Sequence, residues 1–262
     1  MITNDDLGTR MKEFYENISK FKLYRRTPVA IRIDGKAFHT FTKGFERPFD
    51  KVLSNAMIRT MRYLCQNIQG CVFGYTQSDE ITLILLDYQT LTTDAWFGYE
   101  IQKICSISAS MATMAFNKFF DDEVDKWIDE NKTTNFDDWK VVNKLYQTYL
   151  KAIQKGAMFD SRCFNIPKEE VCNLIYWRQL DATRNSIQMM GQANFSHNEL
   201  QGKSCNDIQD MLMEQKGINW NDTPTPWKRG TAWRKEFGLD FSMPILKGEE
   251  RKYVDDLIFI GE

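Results

Sequence analysis

The stretch Val29-Ala30-Ile31-Arg32-Ile33-Asp34-Gly35-Lys36-Ala37-Phe38-His39 decides how the rest of this chain is interpreted. It predicts a short buried strand over residues 29–33 that ends at an Asp-Gly pair. A carboxylate at the end of a core strand, followed by a glycine that frees the backbone, is well placed to meet a metal ion or a substrate. Asp-Gly after a strand is more often a simple turn, so the interpretation depends on a second stretch.

That second stretch runs from Cys71 to Leu86 and reads CVFGYTQSDEITLILL. It predicts a hairpin of two strands with the polar group Gln77-Ser78-Asp79-Glu80 at its tip. If the hairpin lies beside the first strand, Asp34 and Asp79 face one another across the sheet. Glu80 completes a set of three predicted catalytic acids. Because it lies one residue further along a strand, we expect it on the opposite face, in a supporting or structural role.

Two facing aspartates repel one another unless a cation lies between them. Mg²⁺ takes oxygen ligands and commonly keeps water and phosphate oxygens in its shell. Two such ions, roughly 3.5–4 Å apart, stabilise the attacking and leaving oxygens of an in-line phosphoryl displacement. Asp34, Asp79 and the backbone carbonyl of Gly35 provide the required oxygens. We therefore predict that they bind two Mg²⁺ ions.

Basic residues close to these acids are suited to a triphosphate. Arg32, Lys36 and Arg47 are predicted to neutralise its charge, and His39 to donate a hydrogen bond to it. For His39 an alternative carries equal weight, in which the imidazole is a buried packing group between the phenylalanines on either side.

Composition limits the class of protein. The chain has 262 residues, of which 42% are hydrophobic and 13% aromatic, enough for one large domain with a core. Its apolar runs are too short to span a bilayer, and the N-terminus lacks a basic-then-apolar signal, so we expect a cytoplasmic protein. The six cysteines include no C-x-x-C pair and are expected to be reduced thiols. Two histidines are too few for a His-rich metal site.

The formal net charge is −2, so the molecule as a whole does not attract nucleic acid. Local basic clusters lie at residues 20–32 and 228–235, and on charge alone a solvated basic face is the favoured interpretation of both. In the second cluster, Trp227 and Trp233 are interleaved with the basic residues. That pattern suits stacking on RNA, and it equally suits a surface strand that buries one aromatic side.

Hydrophobic periodicity predicts the order of the elements. Helices are expected over residues 6–18, 51–68, 98–119 and 168–190, the last closed by Gly191, and a last strand over 158–166. A Ser204/Asp207 capping box begins a further helix that ends at Gln215. The order strand, helix, strand, strand, helix, strand predicts an α+β, ferredoxin-like fold, a split βαβ antiparallel sheet with helices on one face. We expect one domain over 1–262, with a core of about 25–120 plus 156–190, a helical insertion at about 121–155 and a C-terminal extension at about 191–262.

Several motifs carry a resemblance to a known family. They are Arg32 to His39, Gly44-Phe45 with Arg47-Pro48, and Gly74 to Glu80. Further matches follow the same order along nearly the whole chain, at Met11-Lys12 with Tyr15-Glu16, Phe159-Asp160-Ser161-Arg162, Tyr176-Trp177-Arg178-Gln179, Leu200-Gln201-Gly202 and Arg229-Gly230-Thr231. In these motifs the chain resembles the tRNA-histidine guanylyltransferase superfamily.

The resemblance implies a polymerase palm that adds nucleotides to the 5′ end of tRNA, with ATP or GTP as activating and incoming nucleotide, and a homotetramer. The family's metal ligands fall on Asp34, the Gly35 carbonyl and Asp79. Its nucleotide contacts fall on the run from Asp34 through Lys36, Ala37 and Phe38 to His39, and on Ser78-Asp79. Contacts to tRNA are predicted, on weaker grounds, at Arg178, Asn185, Lys203, Lys228 and Arg229.

One departure from the family pattern bears on the substrate. Eukaryotic members carry a His-Ile-Asn-Asn motif for adding the extra G to tRNA-His, and here the aligned residues are Thr183-Arg184-Asn185-Ser186. The chain therefore resembles the Thg1-like branch, which implies template-dependent repair of 5′-truncated tRNAs. Addition of a single G to tRNA-His remains the alternative. More distant alternatives are a nucleotidyl cyclase with the same palm, and an RNA-recognition module with Phe73 and Tyr75 on its sheet.

Overall fold

The structure, a computed structural model, describes residues 6–133 and 135–261. Six strands form one sheet: β1 Val29–Gly35, β2 Cys71–Gln77, β3 Glu80–Leu85, β4 Phe159–Asn165, β5 Thr231–Arg234 and β6 Gly238–Asp240. The helices are α1 Asp6–Met11, α2 Phe38–Phe41, α3 Lys51–Asn67, α4 Ile101–Glu130, α5 Phe136–Lys155, α6 Lys168–Asn194, α7 His197–Leu200, α8 Cys205–Lys216, α9 Thr225–Arg229 and α10 Lys252–Asp255. Short 3₁₀ turns lie at Trp96–Tyr99, Trp220–Asp222 and Gly248–Arg251.

The sheet has the strand order β4-β1-β3-β2-β5-β6, and every pair is antiparallel. Its first four strands have the order and connections of the split βαβ unit, so the predicted α+β, ferredoxin-like fold is confirmed. The C-terminal strands β5 and β6 extend the sheet beyond β2. Trp233 in β5 is 7% exposed, as expected for a strand that buries one aromatic side.

The two faces of the sheet are covered by different parts of the chain, so helices lie on both faces and not on one face as we predicted. Ile31 and Ile33 of β1 join α3 and α4 in the larger core, which includes Phe116. Ala30 lies on the other face with Val171 of α6 and with apolar residues of the C-terminal segment. Because side chains alternate along a strand, Arg32 and Asp34 share the face of Ala30. Asp34, at the end of β1, is thus on the side of the sheet that α6 covers.

The helical insertion begins later than we expected. Helix α4 continues from the core through residue 121 to Glu130, and α5 returns antiparallel to it. The buried residues of α5 are Tyr149 and Ala152, whereas Trp139 near its start is 38% exposed. The aromatic ring of Tyr149 packs against Phe45, Phe120 and Trp127, so α5 completes the core rather than forming a separate unit.

Two other boundaries differ from the sequence prediction. Helix α6 runs through Gly191 to Asn194, because Gly191 serves close packing rather than helix termination. A Cβ there would lie 2.8 Å from Cγ2 of Ile208, so only glycine lets α8 approach this closely. At the N-terminus, the predicted helix over 6–18 is α1 followed by a π-helical turn, Lys12–Glu16, and a 3₁₀ turn, Asn17–Ser19.

Within the described residues, no helix is both long enough and apolar enough to cross a bilayer. Residues 1–5, where we expected no signal segment, lie outside the described part of the chain. All six cysteines are free thiols, and Cys105 and Cys163 bring their sulfur atoms to 3.7 Å.

Candidate active site

Asp34 stands at the end of β1, directly opposite Glu80 of β3 on one side and Asp160 of β4 on the other. The strand ends here because Gly35 turns the chain toward α2. A Cβ on Gly35 would lie 2.3 Å from the Phe38 ring, so only glycine allows the ring to close over this backbone. The predicted strand-end aspartate is therefore held at the edge of a tightly packed aromatic cluster.

Asp79 lies in the tight turn between β2 and β3, next to the end of β1. The Gly35 amide donates to the Asp79 carbonyl at 3.1 Å, which ties the turn to the end of β1. Burial raises the pKa of the Asp79 carboxyl to about 6, and the neighbouring charge of Asp34 adds to the rise. The hydroxyl of Ser78 donates to this carboxylate at 3.0 Å. Asp34 and Asp79 therefore do interact, as the sequence predicted, and their mutual repulsion is not relieved by a neighbouring lysine or arginine at hydrogen-bond distance among the described residues.

A cavity of about 570 Å³ is lined by Asp79 and by Gly35, the residue after Asp34, and is large enough for a nucleotide. Seven of the predicted site residues line it: Gly35, Ala37, Phe38, His39, Arg47, Ser78 and Asp79. The Phe38 side chain is 5% exposed and packs in the core, so only its backbone faces a ligand. His39 is exposed, with Nε2 3.0 Å from Oγ1 of Thr40, so the interpretation of a buried packing histidine is wrong.

Three residues predicted to bind the nucleotide, Arg32, Asp34 and Lys36, do not line this cavity. Asp34 directly precedes Gly35, which does line it. The Lys36 side chain is exposed outside the cavity wall. The Arg32 guanidinium lies over the Trp177 ring, 5.2 Å from its centre, and 3.5 Å from a carboxylate oxygen of Glu80. Arg32 therefore belongs to the face of the sheet that carries α6, where it partners an acid of the protein.

Glu80 is on the same face as Asp34, which corrects our expectation. Asp79 belongs to the turn rather than to a strand, so the alternation starts at Glu80, directly opposite Asp34. The Glu80 carboxylate accepts a hydrogen bond from the Arg178 guanidinium, which also binds Asp181 at 3.0 Å. An arginine thus neutralises Glu80, in contrast to Asp34 and Asp79, which supports a structural role.

The residues present fit a hard divalent cation. Two carboxylates that repel each other and a backbone carbonyl, that of Gly35, make an all-oxygen donor set, which Mg²⁺ prefers. No cluster of three or more His, Cys, Asp or Glu suited to a metal occurs in residues 6–133 or 135–261. The remaining ligands of an ion at Asp34 and Asp79 would be water and phosphate oxygens, which is the usual shell of Mg²⁺ at a nucleotide.

A buried acid that the sequence analysis did not assign to the site, Asp50, forms part of the cavity wall. The Asp50 side chain accepts from the amides of Glu46 and Leu53, at 3.0 and 2.8 Å, and from the Tyr149 hydroxyl at 2.7 Å. Burial raises the pKa of Asp50, and it raises that of Tyr149 well above its usual range. This cluster fixes the loop that carries Arg47. No local pattern could reveal the contact, because 99 residues separate its partners.

The residues predicted to bind tRNA lie in different environments. Arg178 is 4% exposed and its charge is used by acids of the protein, so burial contradicts direct contact with RNA. The Lys228 ammonium donates to the Asn221 carbonyl at 2.5 Å, and burial lowers the pKa of Lys228. The Arg229 side chain is turned inward, with its Nε buried. Asn185 and Lys203 do line cavities, Asn185 together with Ser78, and Lys203 together with Arg47.

Asp160 is a further acid that the sequence analysis quoted in a motif without giving it a role. The strand register brings it opposite Asp34, where it pairs with Arg162 at 3.0 Å. Pairing with Asp160, followed by the charge of Asp34, raises the pKa of Arg162. Only the antiparallel β1–β4 register, which is a tertiary feature, identifies this residue as a neighbour of the site.

The ferredoxin-like sheet, the acids Asp34 and Asp79 and the nucleotide-sized cavity lined by Gly35 and Asp79 place this chain in a class, the nucleotidyltransferases built on a polymerase-type palm. The family is narrower than the class. A family model described as tRNA(His) guanylyltransferase matches residues 8–167. The chain belongs to that family, and the resemblance found in the sequence is confirmed.

Known relatives agree with this assignment. The chain is 42% identical to a bacterial tRNA(His) guanylyltransferase (Thg1)-like protein solved with ATP, with a TM-score of 0.81, covering 97% of this chain and 99% of that one. A bacterial protein of the same description, solved with GTP, gives 38% identity and a TM-score of 0.75 over the same shares. The tRNA(His) guanylyltransferase of Schizosaccharomyces pombe is 26% identical over 238 residues, 85% of this chain and 78% of that protein.

Proposed function

We propose that this enzyme adds nucleotides in the 3′→5′ direction to the 5′ end of truncated tRNAs, copying the opposing strand of the acceptor stem. The reaction is assigned to Asp34, Asp79 and the adjoining cavity. Two Mg²⁺ ions bound by these carboxylates and by the Gly35 carbonyl would supply charge stabilisation at the reacting phosphate. ATP or GTP serves as activating and incoming nucleotide, in keeping with the two bacterial relatives solved with those ligands.

Other residues of the cavity bind the phosphates and position the Asp79 carboxylate. Arg47 and His39 line the wall and donate to phosphate oxygens, and Ser78 holds the Asp79 carboxylate in place. A 5′-monophosphate is first activated by a nucleoside triphosphate, which releases pyrophosphate. The 3′-hydroxyl of the incoming nucleotide then attacks the activated phosphate, and the activating nucleoside monophosphate leaves. The new 5′ end carries the triphosphate of the added nucleotide, from which pyrophosphate is removed.

The choice of template-dependent repair over strict G addition rests on the surroundings of Thr183 and Ser186. These residues stand where eukaryotic members carry the His-Ile-Asn-Asn motif. Thr183 donates its hydroxyl to the carbonyls of Gln179 and Lys228, at 3.0 and 3.3 Å. Ser186 is 2% exposed and accepts from the Trp220 indole at 3.0 Å. Side chains occupied in this way are not available to recognise one particular tRNA. Base pairing with the opposite strand is the remaining source of nucleotide selection.

We also propose a cytoplasmic homotetramer. Apolar side chains of the N-terminal segment are exposed in the single chain, among them Phe14 at 63%, Ile18 at 69% and Phe21 at 68%. Monomers rarely expose contiguous apolar surface of this kind, and a second copy of the chain would cover it. Sedimentation equilibrium tests this: four copies are expected, and a stable monomer at micromolar concentration would contradict the proposal.

The decisive experiment changes the unpaired template base on the 3′ strand of a 5′-truncated tRNA. The purified enzyme, Mg²⁺ and all four nucleoside triphosphates are incubated with each of the four template variants, and the added nucleotide is identified by sequencing. We expect the complementary nucleotide in each case, on tRNAs of several identities. Insertion of G regardless of the template, and only on tRNA-His, would overturn the repair proposal in favour of guanylyltransferase activity.

A further inference from the structure

A second cavity of about 550 Å³ adjoins the active-site cavity, and the proposed reaction does not use it. Its walls are the C-terminal end of α6, the segment from α7 to the turn after it, and the loop of residue 47. Phe195 and Ile208 form its apolar base. Six polar side chains surround the opening: Arg47, Gln188, Gln192, His197, Gln201 and Lys203. We refer to it as the donor chamber.

The donor chamber differs from the active-site cavity in charge. The active-site cavity is lined by Glu46, Asp50 and Asp79 as well as by basic residues, which suits a metal-bound triphosphate. No Asp or Glu lines the donor chamber, whose charged residues are Arg47 and Lys203. A wall of cationic and amide donors without a carboxylate suits a phosphate that carries no metal ion.

The six polar side chains of the donor chamber are also unused by the protein. Within residues 6–133 and 135–261, none of them makes a side-chain hydrogen bond or an ion pair. The nearby acid Asp207 accepts from the Ser204 amide at 2.8 Å, and hydrogen bonds from Ser204, followed by the charge of Lys203, lower the pKa of Asp207. Lys203 and Asp207 form no ion pair among the described residues, so the ammonium remains available to a ligand. Lys228 differs from these side chains, because its ammonium donates a hydrogen bond to a backbone carbonyl. Donors that converge on a cavity without internal partners are positioned for a ligand.

The two cavities adjoin one another. Arg47 and Gln192 line both, so these two side chains can contact ligands in either cavity. Gln188 and Gln192 are four residues apart on α6 and therefore present their amides on one side of the helix. Amide groups both donate and accept, which suits base edges and sugar hydroxyls as well as phosphates. The chamber thus has the chemistry for successive nucleotides of a strand rather than for a lone anion.

We infer that the donor chamber binds a phosphate and the attached nucleotide of the RNA strand whose 5′ end reacts in the neighbouring cavity. This inference rests on the proposed function and names the contacts that hold the RNA. Lys203 and His197 bind the phosphate of this strand. Arg47 lies between that phosphate and the triphosphate of the incoming nucleotide. A second nucleoside triphosphate presents the same phosphate chemistry, so the experiment separates the two sources.

The test compares Lys203→Ala with the wild-type enzyme in two measurements. Direct binding of a 5′-truncated tRNA is followed by fluorescence anisotropy at several salt concentrations, without triphosphate. Steady-state kinetics then give KM separately for the tRNA and for the triphosphate. We expect Kd and KM for the tRNA to rise roughly tenfold, as for the loss of one charge-assisted hydrogen bond. The salt dependence of binding should fall by about one phosphate contact, with KM for the triphosphate unchanged.

Two further variants sharpen the result. Lys168→Ala removes the same charge from the first turn of α6, where the side chain is exposed and outside the chamber lining, and should leave both KM values within about twofold of wild type. Arg47→Ala should raise KM for the tRNA and for the triphosphate together, because Arg47 faces both cavities. Circular dichroism and the unfolding midpoint verify that each variant is folded.

The alternatives give distinct outcomes. A rise in KM for the triphosphate with tRNA binding unchanged would overturn the inference and assign the chamber to a second triphosphate. No change in either constant for Lys203→Ala would overturn it as well. If the wild-type enzyme neither binds nor extends tRNA, the proposed function itself fails. If instead the wild-type enzyme and Lys203→Ala extend tRNA equally well, only the inference about the donor chamber fails.

Discussion

Strand β2 lies between two charged segments that the fold uses in opposite ways. At its C-terminal end, the turn of Ser78 and Asp79 faces Asp34 and opens on a cavity. Along its edge, β5 follows the basic residues Lys228-Arg229 and ends at Arg234, and these three side chains are partly buried and have partners within the protein. Arg234, for example, lies between the rings of Phe237 and Tyr253, 4.2 and 4.1 Å from their centres.

The difference shows how charges of the two kinds can be recognised. Charges that serve the fold have partners of the opposite sign or an aromatic ring, as Glu80 has in Arg178. Charges that serve a ligand lack such partners, and Asp34 and Asp79 even repel each other. Variants in the two groups should therefore differ in kind, the first losing stability and the second losing activity.

The largest expected effect is on activity. Asp34→Ala and Asp79→Ala should each lower the rate of nucleotide addition by on the order of a thousandfold or more, because a lost metal ligand removes several kcal/mol of charge stabilisation. The free energy of unfolding should stay the same or rise slightly, since a like-charge pair is relieved. Rates are measured with a 5′-labelled tRNA and stability by urea denaturation.

Asp94→Ala provides the matched control, because its side chain is 82% exposed and lies outside the cavity lining. It should leave the rate of addition unchanged. Near-normal activity in Asp34→Ala or Asp79→Ala would end the argument for a pair of metal-binding acids.

The next effect is on stability. Arg178→Ala should reduce the free energy of unfolding by about 3 kcal/mol, because it leaves Glu80 and Asp181 partly buried without their cation. The measurement is urea denaturation followed by circular dichroism. The double variant Arg178→Met with Glu80→Gln removes both charges and should recover a large part of the loss. If Arg178→Ala is as stable as the wild type but binds tRNA more weakly, Arg178 contacts RNA, as predicted from the sequence.

A smaller effect is expected where α5 supports the cavity. Tyr149→Phe removes the hydrogen bond to Asp50 and should cost about 1–2 kcal/mol of stability. Because Asp50 holds the loop of Arg47, KM for the triphosphate should rise while KM for the tRNA changes less. Tyr146→Phe, on the same helix, is the control, since the Tyr146 hydroxyl makes no hydrogen bond among the described residues. Equal KM values for the triphosphate in the two variants would show that α5 does not support the cavity.

The smallest expected effect separates two neighbours in the basic segment. Arg234→Ala removes a guanidinium held between two rings and should lower stability by about 1 kcal/mol, with little change in the salt dependence of tRNA binding. Lys235→Ala removes an exposed charge and should leave stability unchanged. A flatter salt dependence in Arg234→Ala would instead assign this segment to RNA, as its composition suggested.

The candidate site shows how far sequence reasoning reaches. Asp34, Gly35, Ser78 and Asp79 were identified because each belongs to a strand end or a turn, where a few adjacent residues determine the local geometry. The face of Glu80 was assigned wrongly because alternation was counted from a residue that lies in the turn. The side of a strand on which a residue falls depends on where the strand begins, and that boundary is set by pairing with β1.

The sequence by itself determined the ferredoxin-like order of strands, the family and the pair of acids, because hydrophobic periodicity and short motifs are local properties of the chain. Only the tertiary structure decided which charges are free to bind a ligand. Arg178 and Lys203 are both basic residues of the C-terminal half, yet one is buried against Glu80 and the other lines an open chamber. The physical reason is that the free energy of a charge depends on its solvation and its partners, which residues distant in sequence provide.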